Sequence, residues 1–317
     1  MDKVRRVFDA SRAGQKIVAN VYRSAKPCSP TQTKQVTLLL AHANGFHKEL
    51  WEPTLTRMFS HNGDWAIDQA VALDSYNHGD SALTNRTSIS TETDSPWFLN
   101  ARDLLAIVEQ LDSPHPVVGI GHSWGASSLL LAEIMSPHTF AGVVATDPVL
   151  FRKPTSNAKL REITMKRRAA WPDLRTARSY FEPHAFFSLW DPRVLDLHIK
   201  YGLETVPDGK SGDELVLKCR PSNEAAVYAG ALHASPFATD HLWKIQCPVA
   251  FLTGEKSPMC PPTHVQDITK NMSDCVRFVM PNAGHLLVHE DPDATADHYV
   301  RILDAFSPKI RPRSANL

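Results

Sequence analysis

The stretch that most constrains this chain is Val117-Val118-Gly119-Ile120-Gly121-His122-Ser123-Trp124-Gly125-Ala126. It sets a G-x-S-x-G motif between an apolar run of strand length and a strong helical pattern over 124–135. The reason for such a motif is steric. The turn holds the serine in a strained backbone conformation, and small residues on either side let strand and helix approach, so that the hydroxyl stands at the top of a sheet. Ser123 is therefore the candidate nucleophile, and an ordinary turn serine is the alternative.

The rest of the chain supplies the sheet. Apolar runs of strand length fall at 36–41, 67–73, 116–120, 140–146, 248–253 and 275–280. Helical patterns are expected around 48–60, over 97–111 behind a Ser95-Pro96 start signal, and over 124–135. Short continuous apolar strands between helices indicate a parallel sheet covered on both faces. Residues 150–241 break the rhythm with Arg, Pro and aromatics, and read as a mostly helical insertion with a lone β-like stretch at 213–219. An insertion at the carboxyl edge of a parallel sheet lies above the ligand crevice, so it is read as a lid. The expected division is a core of 1–149 with 242–317, and a lid of 150–241.

Bulk properties narrow the function. A chain of 317 residues can bury a sizeable core without staples. Its 34 basic and 34 acidic side chains cancel, which argues against a broad nucleic-acid footprint. No run of 18 apolar residues suggests a membrane span, and MDKVRRVFDASRAGQ lacks the apolar stretch of a signal peptide. Five widely spaced cysteines, Cys28, Cys219, Cys247, Cys260 and Cys275, suit free thiols in a reducing compartment. The sequons at Asn85 and Asn271 are then expected to carry no glycan. No phosphate-cradling glycine loop occurs, so no cofactor is implied.

A serine hydroxyl needs a base to take its proton. His285, in Pro281-Asn282-Ala283-Gly284-His285 after the last expected strand, fits the chain order serine, acid, histidine. Its alternative is to cap the helix from 287. His289 completes an H-x-x-x-H pair, but no glutamate lies between the two and no third ligand is evident, so zinc is disfavoured. The acid has two candidates. After the penultimate strand, in Thr253-Gly254-Glu255-Lys256-Ser257-Pro258, the usual aspartate position holds Ser257, and Glu255 lies close to the strand end. Asp147, directly after the preceding strand, is favoured over Glu255; its alternative is to cap the start of the lid. A base of this kind implies activity that rises as the imidazole loses its proton. An anion site is expected in Ala41-His42-Ala43-Asn44-Gly45-Phe46, with Asn44 and Trp124 as backbone N–H donors and Phe46 as second choice. Ala43 stands where such loops usually carry glycine.

These segments resemble the α/β-hydrolase superfamily over essentially the whole chain. HANGF, DSYNHGDS, GHSWG and NAGH carry that resemblance, and more narrowly HANGFHKELWEP, YNHGDS, GHSWGA and the run WDPRVL…YGL are similar to fungal hydrolases of toxin and mycophenolic acid biosynthesis and to peroxisomal lipase-like enzymes. The resemblance implies an α/β-hydrolase fold with a helical lid, an acid at Asp147, and acyl-CoA or related acyl substrates. Dehalogenases and epoxide hydrolases of this fold carry an aspartate nucleophile, which Ser123 excludes.

The expected function is cleavage of an ester or thioester of a small-molecule acyl substrate through an acyl-enzyme on Ser123, His285 and Asp147. Alternatives are a cyclising acyltransferase with the same triad and a non-enzymatic ligand-binding relative. Trp171, Phe181, Phe186, Phe187 and Trp190 are candidate walls of an acyl pocket or ordinary lid packing. Lys166, Arg167 and Arg168 are candidate contacts for a CoA phosphate or a solvated helix face. Ser314-Ala315-Asn316-Leu317, with Lys309, Arg311 and Arg313 before it, is a loose peroxisomal address, with the cytosol as alternative. Oligomeric state is left open.

Overall fold

The structure, a computed structural model, describes residues 1–25, 34–89, 96–155, 157–207 and 212–310. Ser95, Cys28 and the tail with Arg311, Arg313 and Ser314–Leu317 lie outside the described residues. Strands run in chain order as β1 (Asp2–Asp9), β2 (Lys16–Arg23), β3 (Lys34–Ala41), β4 (Trp65–Leu73), β5 (Val117–His122), β6 (Gly142–Thr146), β7 (Ala170–Trp171), β8 (Leu203–Pro207), β9 (Asp213–Leu217), β10 (Val249–Gly254) and β11 (Cys275–Met280). Helices are α1 (Glu52–Met58), α2 (Gly79–Thr84), α3 (Pro96–Gln110), α4 (Trp124–Met135), α5 (Ala158–Lys166), α6 (Leu174–Phe181), α7 (Pro192–Tyr201), α8 (Pro221–His241), α9 (Pro262–Ile268), α10 (Leu287–Glu290) and α11 (Pro292–Phe306).

Among the described residues, the central sheet has the order β1-β2-β4-β3-β5-β6-β10-β11. The β4-to-β11 part is parallel throughout, and β2 runs antiparallel to both β1 and β4. The parallel strands are the apolar runs read from sequence, with ends shifted by a few residues. Strand alternation divides their side chains between two cores. Leu39, Ala41, Val71 and Leu73 pack with Trp97, Leu104, Leu129 and Val227 under α3, α4 and α8. Leu38, Leu40, Ala70 and Ala72 pack with Trp51, Leu55, Tyr299 and Ile302 under α1 and α11. Each leucine so buried contributes about 2 kcal/mol. The β1–β2 hairpin was not anticipated: β1 lies at the sheet's edge and exposes most of its side chains, so it lacks an apolar run.

The segment between β6 and β10 is less helical than expected. Among its described residues, β7, β9 and β8 form a three-stranded antiparallel sheet beside α5, α6 and α7. β7 has two residues, and β8 is mostly unburied and ends on Pro207, so neither carries an apolar run; pairing with β9 defines them. Trp171, Phe181, Ile199, Leu203 and Leu217 form a small core of their own there. The last helix, α8, differs. Val227, Ala231, Ala234 and Ala238 join the main core, and Trp97 Nε1 donates to Val227 O.

Asn85 is buried, with its amide bonded to Lys16 and Tyr76, so that sequon is occupied by internal contacts. Cys219, Cys247 and Cys260 are buried free thiols and Cys275 is half-buried. No helix among the described residues is long and apolar enough to cross a membrane.

Polar groups bind the loops at the carboxyl edge. Lys48 is 1% exposed, and its ammonium lies 2.6 Å from Asp74, 2.7 Å from Asp80 and 3.0 Å from Glu49. Those carboxylates hold the Lys48 pKa above its ordinary value despite the opposing effect of burial. Lys48→Met leaves Asp74 and Glu49 buried without their cation and is expected to lower unfolding free energy by about 3–5 kcal/mol, read by urea denaturation.

Five buried histidines, His42, His78, His122, His198 and His289, are held neutral because burial disfavours the charged ring; for His122 the pKa falls to about 3. Their contribution is complete above the unfolded value of about 6.5 and is lost as pH falls below it. Asp103, Glu133 and Glu224, raised by burial, act in the opposite direction but are fewer. Stability is therefore expected to fall by at least about 1.4 kcal/mol per unit as pH drops from 6.5 toward 5, measured by urea melts at each pH. A flat profile would contradict the neutral-histidine assignment.

Candidate active site

Ser123 caps α4 with φ +54° and ψ −118°, a backbone region that costs about 1–3 kcal/mol. The surroundings over-determine it. Its N–H donates to Thr146 O at 2.9 Å, tying the turn to β6. A Cβ on Gly125 would lie 2.3 Å from Ala41 O and 2.5 Å from His42 O, and one on Gly121 2.5 Å from the backbone of Ala126. Both positions therefore require glycine.

The structure brings Ser123, His285 and Asp147 together. Ser123 Oγ lies 3.0 Å from His285 Nε2, and His285 Nδ1 lies 2.5 Å from Asp147 Oδ2. Asp147 is fully buried and takes a left-handed φ of +43°, which aspartate tolerates better than most residues. Its Oδ2 also accepts from Ser257 Oγ at 2.5 Å, and its Oδ1 from Gly254 N–H at 3.3 Å. Ser257 was noted in the sequence only as the residue replacing an expected acid; its contact with Asp147 crosses between two strands and leaves no local pattern. Glu255 is exposed and accepts the Asn282 N–H at 2.8 Å, supporting the turn before His285 rather than its imidazole.

The His285 loop is fixed from two sides. His122 Nε2 donates to His285 O at 2.8 Å. Glu290 accepts Gly284 N–H at 2.7 Å and Leu286 N–H at 3.3 Å. His285 provides no cap to α10, whose N-cap is Leu286. His289 packs its buried ring against His122, Phe46 and Trp190. Among the described residues, no group of three His, Cys, Asp or Glu side chains is arranged to hold a metal ion.

The 41–46 loop sits beside this constellation. Phe46 N–H closes a turn on Ala43 O at 3.2 Å, which leaves Asn44 as the loop's candidate donor. The left-handed position is Gly45, at φ +84°, so alanine at 43 is tolerated. Gly45 N–H donates to His78 Nε2 at 3.0 Å, while His78 Nδ1 donates to Asn77 Oδ1 at 2.7 Å. Asn44 Nδ2 donates to Glu224 O at 3.1 Å. Trp124 N–H opens α4, where a helix leaves its first amides without intrahelical partners. Sequence reasoning missed His78 and Glu224, though His78 lies in the quoted DSYNHGDS segment.

The lid candidates separate. Trp190 packs on Phe46 with Val194 and Leu50, and Phe187 lies against the same cluster. Trp171 and Phe181 belong to the lid's own core, and Phe186 is half exposed. Arg167 turns inward and pairs with buried Glu224 at 2.5 Å. Lys166 pairs with Glu162 on the exposed face, and Arg168 lies over the rings of Trp171 and Tyr180.

Comparison with known proteins agrees with this architecture. A sequence profile of the Alpha/beta hydrolase family matches residues 38–298. The chain is 24% identical to the Peroxisomal membrane protein LPX1 of Saccharomyces cerevisiae over 91% of its own length and 81% of that protein's. It is 25% identical to the Type I acyl-CoA thioesterase mpaH of Penicillium roqueforti over 60% of its length, spanning 45% of that protein. The crystal structure of the yeast peroxisomal α/β-hydrolase Lpx1 superposes with a TM-score of 0.83 at 23% identity, covering 100% of this chain and 91% of that one. The thioesterase domain from the curacin biosynthetic pathway superposes with a TM-score of 0.70 at 17% identity, covering 95% and 100%. The chain belongs to the alpha/beta hydrolase family and is a hydrolase.

Proposed function

We propose that this protein hydrolyses an ester or thioester of a small-molecule acyl substrate through an acyl-enzyme. Ser123 attacks the carbonyl carbon while His285 Nε2 takes the hydroxyl proton. His285 returns that proton to the leaving oxygen or sulfur as the tetrahedral adduct collapses. Water, deprotonated by the same imidazole, then releases the acid. Asp147 fixes the tautomer that leaves Nε2 free to accept, and stabilises the imidazolium as it forms. The backbone N–H groups of Asn44 and Trp124 hold the developing oxyanion, where loss of one donor costs about 3–4 kcal/mol.

The observation that carries this reading is the continuous contact from Ser123 Oγ through both imidazole nitrogens to a fully buried carboxylate. Trp190, Phe187, Phe46 and Leu286 supply an apolar wall for the acyl group, and the described residues of the insertion between β6 and β10 act as its lid. A thioester of the acyl-CoA type is the preferred substrate class, supported by the similarity to the type I acyl-CoA thioesterases mpaH of Penicillium. The peroxisome is the compartment this reading implies, supported by the name of the yeast relative.

With p-nitrophenyl esters and acyl-CoA thioesters as probes, Ser123→Ala is expected to lower kcat at least about 10³-fold. Equal turnover by the variant and the wild type would rule out Ser123 as the nucleophile. Asp147→Asn is expected to lower kcat about 10⁴-fold, whereas Glu255→Gln changes it by less than about threefold. The reverse pattern would move the acid to the turn after β10.

A further inference from the structure

His122 ends β5 immediately before Ser123 and is 1% exposed. Its ring packs against two others, with centroids 5.4 Å from His285 and 5.3 Å from His289. Its Nε2 donates to His285 O at 2.8 Å, while its Nδ1 is buried without a hydrogen-bond partner. A buried ring nitrogen without a partner costs stability, and an apolar side chain would avoid that cost. Packing therefore does not account for an imidazole here. Charge does not account for it either, because burial lowers the His122 pKa to about 3 and keeps the ring neutral near neutral pH. What remains is the donor at Nε2. The carbonyl it meets stands in the turn between β11 and α10, where no strand ladder or helix supplies a donor.

We propose that His122 is a positioning residue: through its Nε2–H it fixes the main chain of His285 against the Ser123 turn and so sets the distance across which the proton passes. The inference rests on the triad reading given above. Other contacts hold the same loop, but to other elements. Glu290 binds the amides of Gly284 and Leu286 from within the same segment, and so shapes the loop without placing it. Glu255 and Lys256 tie Asn282 and Ala283 to the turn after β10. His122 ties residue 285 itself to β5, one residue from the nucleophile. With that carbonyl fixed, the imidazole moves by rotation about its own side-chain bonds, and Asp147 holds that rotation. Removing the anchor frees the main chain, and a misplacement of about 1 Å at such a pair costs about 100-fold in rate.

The test uses the difference between two amides. Glutamine places its amide nitrogen as many bonds from Cα as Nε2 of histidine, whereas the amide nitrogen of asparagine stands where Nδ1 does. Purified His122→Gln, His122→Asn and His122→Leu, each checked for folding by circular dichroism, are compared with wild type by p-nitrophenyl ester turnover and by fluorophosphonate labelling of Ser123. His122→Asn and His122→Leu are expected to lower kcat at least about tenfold while KM changes by less than about twofold. Labelling of both still reaches one group per chain, but more slowly. His122→Gln is expected to return kcat to within about threefold of wild type. Equal kcat in the glutamine and asparagine variants overturns the role of Nε2, and that comparison decides the matter by itself if His122→Leu does not fold. A folded His122→Leu enzyme with wild-type kcat, or a loss confined to KM, overturns the positioning role. If Ser123→Ala turns over and labels like wild type, the triad reading itself falls, and this inference with it.

Discussion

A close backbone approach at the turn of Ser123 is the constraint on which the rest depends. β5 and α4 can meet at Ser123 only because Gly121 and Gly125 carry no side chain; Gly125 lies against the carbonyls that end β3. That contact brings the carboxyl ends of β3, β5 and β6 together. The 41–46 loop leaves β3, the Ser123 turn leaves β5, and Asp147 follows β6. The order β4-β3-β5-β6 means that the chain runs to one side after β3 and to the other after β5. Open parallel sheets form their ligand crevice at such a reversal. Ser123, Asp147 and His285, from distant parts of the sequence, therefore converge because of sheet order.

Above the crevice the insertion is joined to the core in two different ways. α8 is held by apolar packing under α3 and α4. The rest of the insertion meets the core along a polar and aromatic seam: Lys218 on Asp80 at 2.6 Å, Arg193 on Asp293, His198 stacked on His47, and Trp190 on Phe46. Directional contacts of this kind specify one closed arrangement, whereas apolar burial scales with area and specifies little. Ser123 is 6% exposed beneath that seam.

How much of this was legible in the sequence follows from how local each signal was. The parallel strands were readable because both faces are buried and each is a continuous apolar run. β1 was not, since its charged outer face hides the inner one. β7 and β8 exist through pairing alone. Ser123 and His285 carry motif context in their own neighbours. Asp147 could be favoured because Ser257 stood where an acid was otherwise expected, but the bond between those two residues joins positions 110 apart. His78 and Glu224, which steady the anion loop, were invisible for the same reason: each reaches Asn44 or Gly45 from a separate element.

The split attachment of the insertion has an evolutionary reading. The chain leaves the sheet at β6 and re-enters it at the neighbouring β10, and α8 joins α3 and α4 over one face of that sheet. The separate small core around Trp171, Phe181 and Leu217 can thus change in composition with less effect on the sheet and on α8 than a change in the main core. Variation there leaves the sheet and the Ser123–His285–Asp147 contacts standing.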